Sequence, residues 1–286
     1  MLSVFIYLII YFIILFDVAC ETIVNQKIYM LEARFVNDAT SFKRLIDSIK
    51  DIVKEVNLVW TPEGIRMQSM DSSHVCLVFF FLPKHDAFSH YTCDTEHVVG
   101  LSLISLQKVL KLCNNDDILS LHYDISDNKL QLIYESTNVS SISHFNINVL
   151  DIDEETLSIP TVEYDTTVVM PSFEFSRICN SFKDLGDTIE FSSGKHGIKF
   201  SFSSDTTSGN VTISDSSMTD TNEATFVKVI KSTTVSFSLK YLCMFTKGGT
   251  LAQTVKIMIS DNMPMVVEYA FKEGHVTYYM APKMDE

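Results

Sequence analysis

The chain has 286 residues, 46% of them apolar and 20% charged, a composition of about two globular domains that excludes a disordered, collagen-like or low-complexity polymer. It carries 36 acidic against 22 basic side chains, a formal charge of -14, so nucleic-acid binding would require its cations to be gathered on one surface. Six cysteines stand far apart with no C-x-x-C spacing, a pattern of reduced core thiols that argues against a disulfide framework or a metal site.

Residues 4–16, VFIYLIIYFIILF, form an unbroken apolar run with no basic residue before Lys27, short for a membrane span of about 20 residues. Val18-Ala19-Cys20 offers small residues for cleavage, yet a second methionine, Met30, stands where ordinary globular sequence begins. Met30 is expected to be the working start. Residues 1–29 are then an N-terminal extension that is either signal-like or a start-site artefact.

From residue 30 onward, short β-branched and aromatic runs alternate with polar clusters. They predict strands at EARFV, VNLVW, IRMQSM, VCLVFFFL, HVVGLSL, ILSLHY and KLQLIYE in the first half. The second half adds TTVVM, TIEF, GIKFSFS, GNVTIS, TTVSFSL, TVKIMI, MVVEYAF and HVTYYMA. Helical spacing occurs over 41–55, 105–112, 172–183 and 239–247. In the first of these, Phe42, Leu45, Ile46, Ile49, Ile52, Val53 and Val56 trace one apolar stripe, with Thr40 or Ser41 placed to cap its start.

The halves repeat at a constant offset of 133 residues. Phe42 matches Phe175, Arg44 matches Arg177, Lys50 matches Lys183, and the turn at Gly64-Ile65 matches Gly197-Ile198. A duplicated α+β unit follows, with domains over 30–149 and 165–286. The connector 150–164, LDIDEETLSIPTVEY, opens with acids and is stiffened by Pro160. Its Leu157 and Ile159 must pack on the surface below, which is one way to make a groove.

The charge is sorted by element. The four helical segments hold ten basic and four acidic residues, the reverse of the chain's overall balance. If they lie on one side of their sheets, their cations form a basic surface suited to phosphate backbone without base readout. No P-loop, H-E-x-x-H, nucleophile elbow, zinc-finger or RNP motif is present. Neither catalysis nor a cofactor or metal is expected.

Several blocks resemble the proliferating cell nuclear antigen (PCNA) family of eukaryotic sliding clamps: Met30 to Arg34, Gln68-Ser69-Met70-Asp71-Ser72-Ser73-His74-Val75, the connector, Met170-Pro171-Ser172, and Tyr278 to Lys283. The likeness covers residues 30–286. It implies the DNA clamp fold: two similar domains, each with antiparallel sheets and two helices, closing as a homotrimer into a ring around duplex DNA. The resemblance makes Lys43, Arg44, Lys50, Lys108, Lys111, Arg177, Lys240 and Lys247 the DNA-facing residues. Thr95, Ser141 and Asn180 stand where the family commonly has a basic residue.

By position in the family, a hydrophobic partner-peptide pocket falls on Met70, His74, Leu77, Leu157, Ile159, Tyr164, Pro264, Tyr279, Ala281 and Pro282. Lys195 resembles the ubiquitin acceptor of damage-tolerant synthesis, and Phe145, Gly209, Val211 and Ile213 the edges that pair between subunits. The implied role is a nuclear processivity factor that tethers DNA polymerase, the clamp loader, flap endonuclease and DNA ligase. It serves leading strand elongation, mismatch repair and translesion synthesis. A diverged second copy, a checkpoint-type clamp subunit, or a secreted β-rich binding protein glycosylated at Asn138 or Asn210 remain the alternatives.

Overall fold

A computed structural model describes residues 30–153, 157–159, 162–194, 197–215 and 224–283. The extension 1–29 and Lys195 lie outside the described residues. The first half runs β1 (Met30–Asp38), α1 (Thr40–Ile49), β2 (Glu55–Thr61), β3 (Gly64–Met70), β4 (Cys76–Pro83), a single turn α2 (Lys84–Ala87), β5 (Phe88–Thr92), β6 (His97–Ser102), α3 (Leu103–Leu110), β7 (Ile118–Asp124), β8 (Lys129–Glu135) and β9 (Ile142–Asn148). The second runs β10 (Thr166–Pro171), α4 (Ser172–Phe182), β11 (Thr188–Gly194), β12 (Gly197–Ser203), β13 (Ser208–Ile213), β14 (Phe226–Val229), β15 (Thr234–Ser238), α5 (Leu239–Phe245) with a 3-10 extension Thr246–Thr250, β16 (Thr254–Ile259), β17 (Met265–Phe271) and β18 (Gly274–Met280). Apart from α2 and the 3-10 extension, the two orders are identical among the described residues.

The pairing repeats as well. The first half builds β5-β1-β7-β8-β9 and β4-β3-β2-β6; the second builds β14-β10-β16-β17-β18 and β13-β12-β11-β15. The halves join where β18 pairs antiparallel with β4, from His275 opposite Phe81 to Met280 opposite Cys76, fusing two of the four units into one nine-stranded sheet. The glycine turns show why the duplication kept glycine. Gly64 and Gly197 have φ +146° and +120°, and a Cβ would stand 2.1 Å from the Leu82 carbonyl oxygen and 2.0 Å from that of Ile213. Each opens the second strand of its hairpin, and only a residue without a side chain admits the third.

Three strands were not predicted: β5, β9 and β14. All three are sheet edges, and their residues are mostly exposed or half-buried, so they lack the apolar alternation by which a strand is read. The first helix ends at Ile49, short of the predicted 55. Ile52 and Val53 are buried in the turn that follows, where the chain folds back over the same core; the apolar stripe recorded burial beyond the helix. Its start is capped by Asp38, whose carboxylate accepts from the Thr40 amide at 2.8 Å, in place of the Thr40 or Ser41 side chain.

Candidate functional site

The helices share one layer. Phe42, Leu45, Ile46 and Ile49 of α1, Leu103, Leu106 and Leu110 of α3, Phe175 and Ile178 of α4, and Leu239, Leu242 and Phe245 of α5 are buried against the sheets. Contacts fix their order. Gln107 of α3 donates to Asp47 of α1 at 2.8 Å, Arg44 of α1 donates to the Thr250 carbonyl at 3.2 Å, and the Cys243 thiol of α5 donates to the Cys179 carbonyl of α4 at 3.6 Å. The row reads α3, α1, α5, α4. Amphipathicity turns each apolar stripe inward and leaves the opposite face, with the basic residues, on one side of the molecule.

Within that layer the cations differ. Lys108, Lys111 and Lys240 are exposed and make no salt bridge among the described residues. Arg44 is exposed and bonded only to a carbonyl. Lys50 is paired with Asp47 at 2.6 Å, Arg177 with Glu174 at 2.5 Å, and Lys247 with Asp51. Lys43 is half-buried, its ammonium donating to the Cys113 carbonyl at the end of α3 and to Asn115 at 3.4 Å. Four of the eight sequence-selected residues are thus open to an external anion without first breaking an ion pair. Exposed pairs are worth about 0–1 kcal/mol, so the other pairs can be exchanged for phosphate at small cost.

The opposite face carries the connector. Along β4 and β18, Val78, Phe80 and Tyr278 point into the core, and the Tyr278 hydroxyl donates to the Ser48 carbonyl of α1 at 3.4 Å. Their alternates, Leu77, Phe79 and Tyr279, therefore face away from the helices. Met70, Leu77 and Tyr279 lie side by side across β3, β4 and β18. Tyr164 donates to the Pro264 carbonyl at 3.2 Å; burial, then Tyr279, push its phenol pKa up. Exposed His74 sits in the β3–β4 loop at φ 55°. Exposed Ala281 donates its amide to the Val75 carbonyl at 3.0 Å, and Pro282 follows it, half-buried. Of the ten sequence-selected pocket residues, strand pairing thus sets Met70, Leu77 and Tyr279 abreast, and hydrogen bonds join Tyr164 to Pro264 and Ala281 to the β3–β4 loop.

A cavity of about 610 Å³ lies under the connector. It includes only Leu157, Ile159 and Tyr279 of the ten, together with Val59, Phe79 and Val98 on the sheet and Ile152 above them. The connector is held over it by side chains that the sequence reading did not select. Gln68 clamps Leu157 by both backbone groups, donating to its carbonyl at 2.9 Å and accepting from its amide at 2.7 Å, and Asn57 donates to the Ile152 carbonyl at 3.0 Å. Gln68 lay in a recognised block, but nothing in the spacing shows that it reaches residues 89 positions away. Leu157 remains 41% exposed, an apolar side chain available to a ligand.

Asp71, buried at the root of the β3–β4 loop, ties this face to the helix layer. Burial would raise its pKa, but the Tyr241 hydroxyl and the amides of Cys76, Ser73 and Val75 outweigh that and hold it below the usual carboxylate range. A lowered folded pKa means stability that is complete above the unfolded value of ~3.9 and is lost as pH falls through the folded one. In an acid unfolding series, the wild type should therefore lose its advantage over Asp71→Asn below about pH 4; a constant gap down to the lowest pH would show that the charge of Asp71 contributes nothing.

Phe145 is half-buried on β9, its ring 5.6 Å from that of Tyr134. Gly209, Val211 and Ile213 are half-buried along β13. Both strands terminate their sheets.

Two family models match the chain: proliferating cell nuclear antigen, N-terminal domain, over residues 30–156, and proliferating cell nuclear antigen, C-terminal domain, over residues 158–284. A proliferating cell nuclear antigen of Chaetomium thermophilum is 38% identical over 259 residues, which cover 90% of this chain and 99% of that protein.

Proposed function

The chain belongs to the proliferating cell nuclear antigen family, and from that membership we propose that three copies close edge to edge into a ring around duplex DNA. It is a DNA sliding clamp, a processivity factor of DNA replication. The observation that carries the ring is internal to the fold. β18 and β4 are joined within the chain, while their counterparts in the duplicated order, β9 and β13, end their sheets among the described residues. A second copy that presents β13 to β9 repeats a contact the molecule already makes with itself, and such a head-to-tail contact closes when the rotation permits. Domains 30–149 and 165–286, with connector 150–164, are the repeating units.

In that ring the helix layer is the inner lining. Its exposed lysines and arginines contact phosphate loosely and without base readout, which is what sliding requires. No catalytic step is part of this reading. The nucleus is the compartment, and Lys195 is the modification site.

The outer face and its connector receive partner peptides carrying a glutamine, an aliphatic residue and two aromatics, as DNA polymerase, the clamp loader, flap endonuclease and DNA ligase would present them. Apolar side chains on a strapped connector support this, since helical-turn anchors need a preformed greasy wall. Ile159→Arg should weaken such a synthetic peptide about 10- to 100-fold, the loss of one buried aliphatic contact, with the oligomer intact. Undiminished heat in calorimetry would remove the connector from the site. A heterotrimer recovered with two other chains would favour the checkpoint-type reading.

A further inference from the structure

We propose that Tyr241 is a positioning residue for partner capture, holding from the C-terminal domain the loop that carries His74 in the N-terminal one. The inference rests on the partner-peptide reading above. Asp71 is 5% exposed and acts as the hub of its loop: one carboxylate oxygen accepts from the Val75 and Cys76 amides at 2.8 and 2.7 Å, the other from the Ser73 amide at 3.0 Å. To that second oxygen the Tyr241 hydroxyl donates at 2.6 Å, across 170 residues of sequence. The His74 amide in turn donates to the Asp71 carbonyl at 3.0 Å, and His74 is held at φ 55°. This is a left-handed conformation that a non-glycine residue keeps only where its surroundings over-determine it.

Tyr241 follows Lys240 on α5, so its ring starts in the helix layer and its hydroxyl ends under the opposite face. Without that hydroxyl, the second oxygen keeps a single donor, the Ser73 amide. The three amide bonds would survive, so the fold persists. What is lost is the fixed orientation of the carboxylate, and with it the loop's readiness for a ligand, because ordering a loop on binding costs affinity.

The test uses the whole protein, a fluorescent synthetic peptide with a glutamine, an aliphatic residue and two aromatics, and the wild type beside three variants: Tyr241→Phe, His74→Ala and the double. Tyr241→Phe should weaken the peptide about 5- to 10-fold, and in the His74→Ala background this should shrink below about 2-fold, because coupled residues are not additive. Amide exchange at Ser73 to Cys76 should accelerate in Tyr241→Phe while the oligomer mass stays unchanged. An unaltered Kd with unaltered exchange overturns the proposal, as does an equal loss in both backgrounds. A wild-type protein that fails to bind the peptide overturns the pocket reading itself, whereas wild-type binding with an indifferent Tyr241→Phe sinks only this inference.

Discussion

Val211→Arg is expected to give a folded monomer at micromolar concentration, where the wild type forms the proposed three-chain ring. Val211 lies on the terminal strand β13 beside Gly209 and Ile213, half-buried against its own sheet. In the ring it would lie between that sheet and the Phe145 edge of the next copy. An arginine there still reaches water in the monomer, but in the closed ring it is an unpaired charge. Leaving such a charge at an interface core costs about 2–5 kcal/mol, a factor of roughly 30 to several thousand per contact. Because a ring contains the contact once per subunit, the penalty recurs three times.

The controls follow from the geometry. Ser203 and Thr212 are exposed on the same hairpin, and a charge at Ser203, off the free edge, should leave the mass unchanged. Light scattering coupled to size exclusion reads both. A monomeric wild type, or a Val211→Arg protein that keeps the full mass, would refute edge-to-edge closure. Phe145→Arg on the opposite edge should reproduce the Val211→Arg result, and mixing the two variants should restore a two-chain species but no closed ring, since the intact β13 of the Phe145→Arg protein meets the intact β9 of the Val211→Arg protein, whereas any closed circle still contains a damaged contact.

Most of the architecture is legible in the sequence because its two signals, apolar periodicity and the 133-residue repeat, are both consequences of burial. Where burial is absent the signal fails. β9, with Ile142, Ser143 and His144 all exposed, is unreadable as a strand for the same reason that it is a candidate for pairing with another chain: it ends its sheet and buries little within the single subunit. The helix boundary at Ile49 fails in the opposite sense, since Ile52 and Val53 are buried without being helical.

The site divides likewise. Which residues are cationic, and that they sit on the helices or, for Lys50, Lys111 and Lys247, just past their ends, can be read from position alone. Which of those cations are open cannot, because Lys247 meets Asp51 and Gln107 meets Asp47 only across helices brought together by folding. The same holds for the Gln68 clamp on Leu157 and for Tyr241 on Asp71. Long-range polar contacts leave no periodicity and no composition bias; they emerge only from tertiary placement.

That placement sharpens the expected result on DNA. Replacing Arg44, Lys108, Lys111 and Lys240 together by Ala should weaken retention of a duplex about 100-fold near physiological salt. It should also flatten the plot of log affinity against log salt by about 0.9 for each phosphate contact removed. The fold should tolerate the change, because all four side chains are exposed and none makes a salt bridge among the described residues. Replacing Lys50 and Lys247 should cost less per residue, since each already spends part of its charge on Asp47 or Asp51. The acids give the converse test. Burial would raise the Asp47 pKa, but the Lys50 and Gln107 hydrogen bonds and the charges of Lys50 and Lys111 bring it below its ordinary value, so it remains an anion in the helix layer at neutral pH. Asp47→Asn with Asp51→Asn should release two lysines and tighten retention, with a steeper salt slope. Fluorescence anisotropy on a labelled duplex over a salt series measures every arm. A quadruple variant with wild-type slope, or acid-to-amide changes that weaken binding, would mean that the helix layer is not the surface that meets DNA.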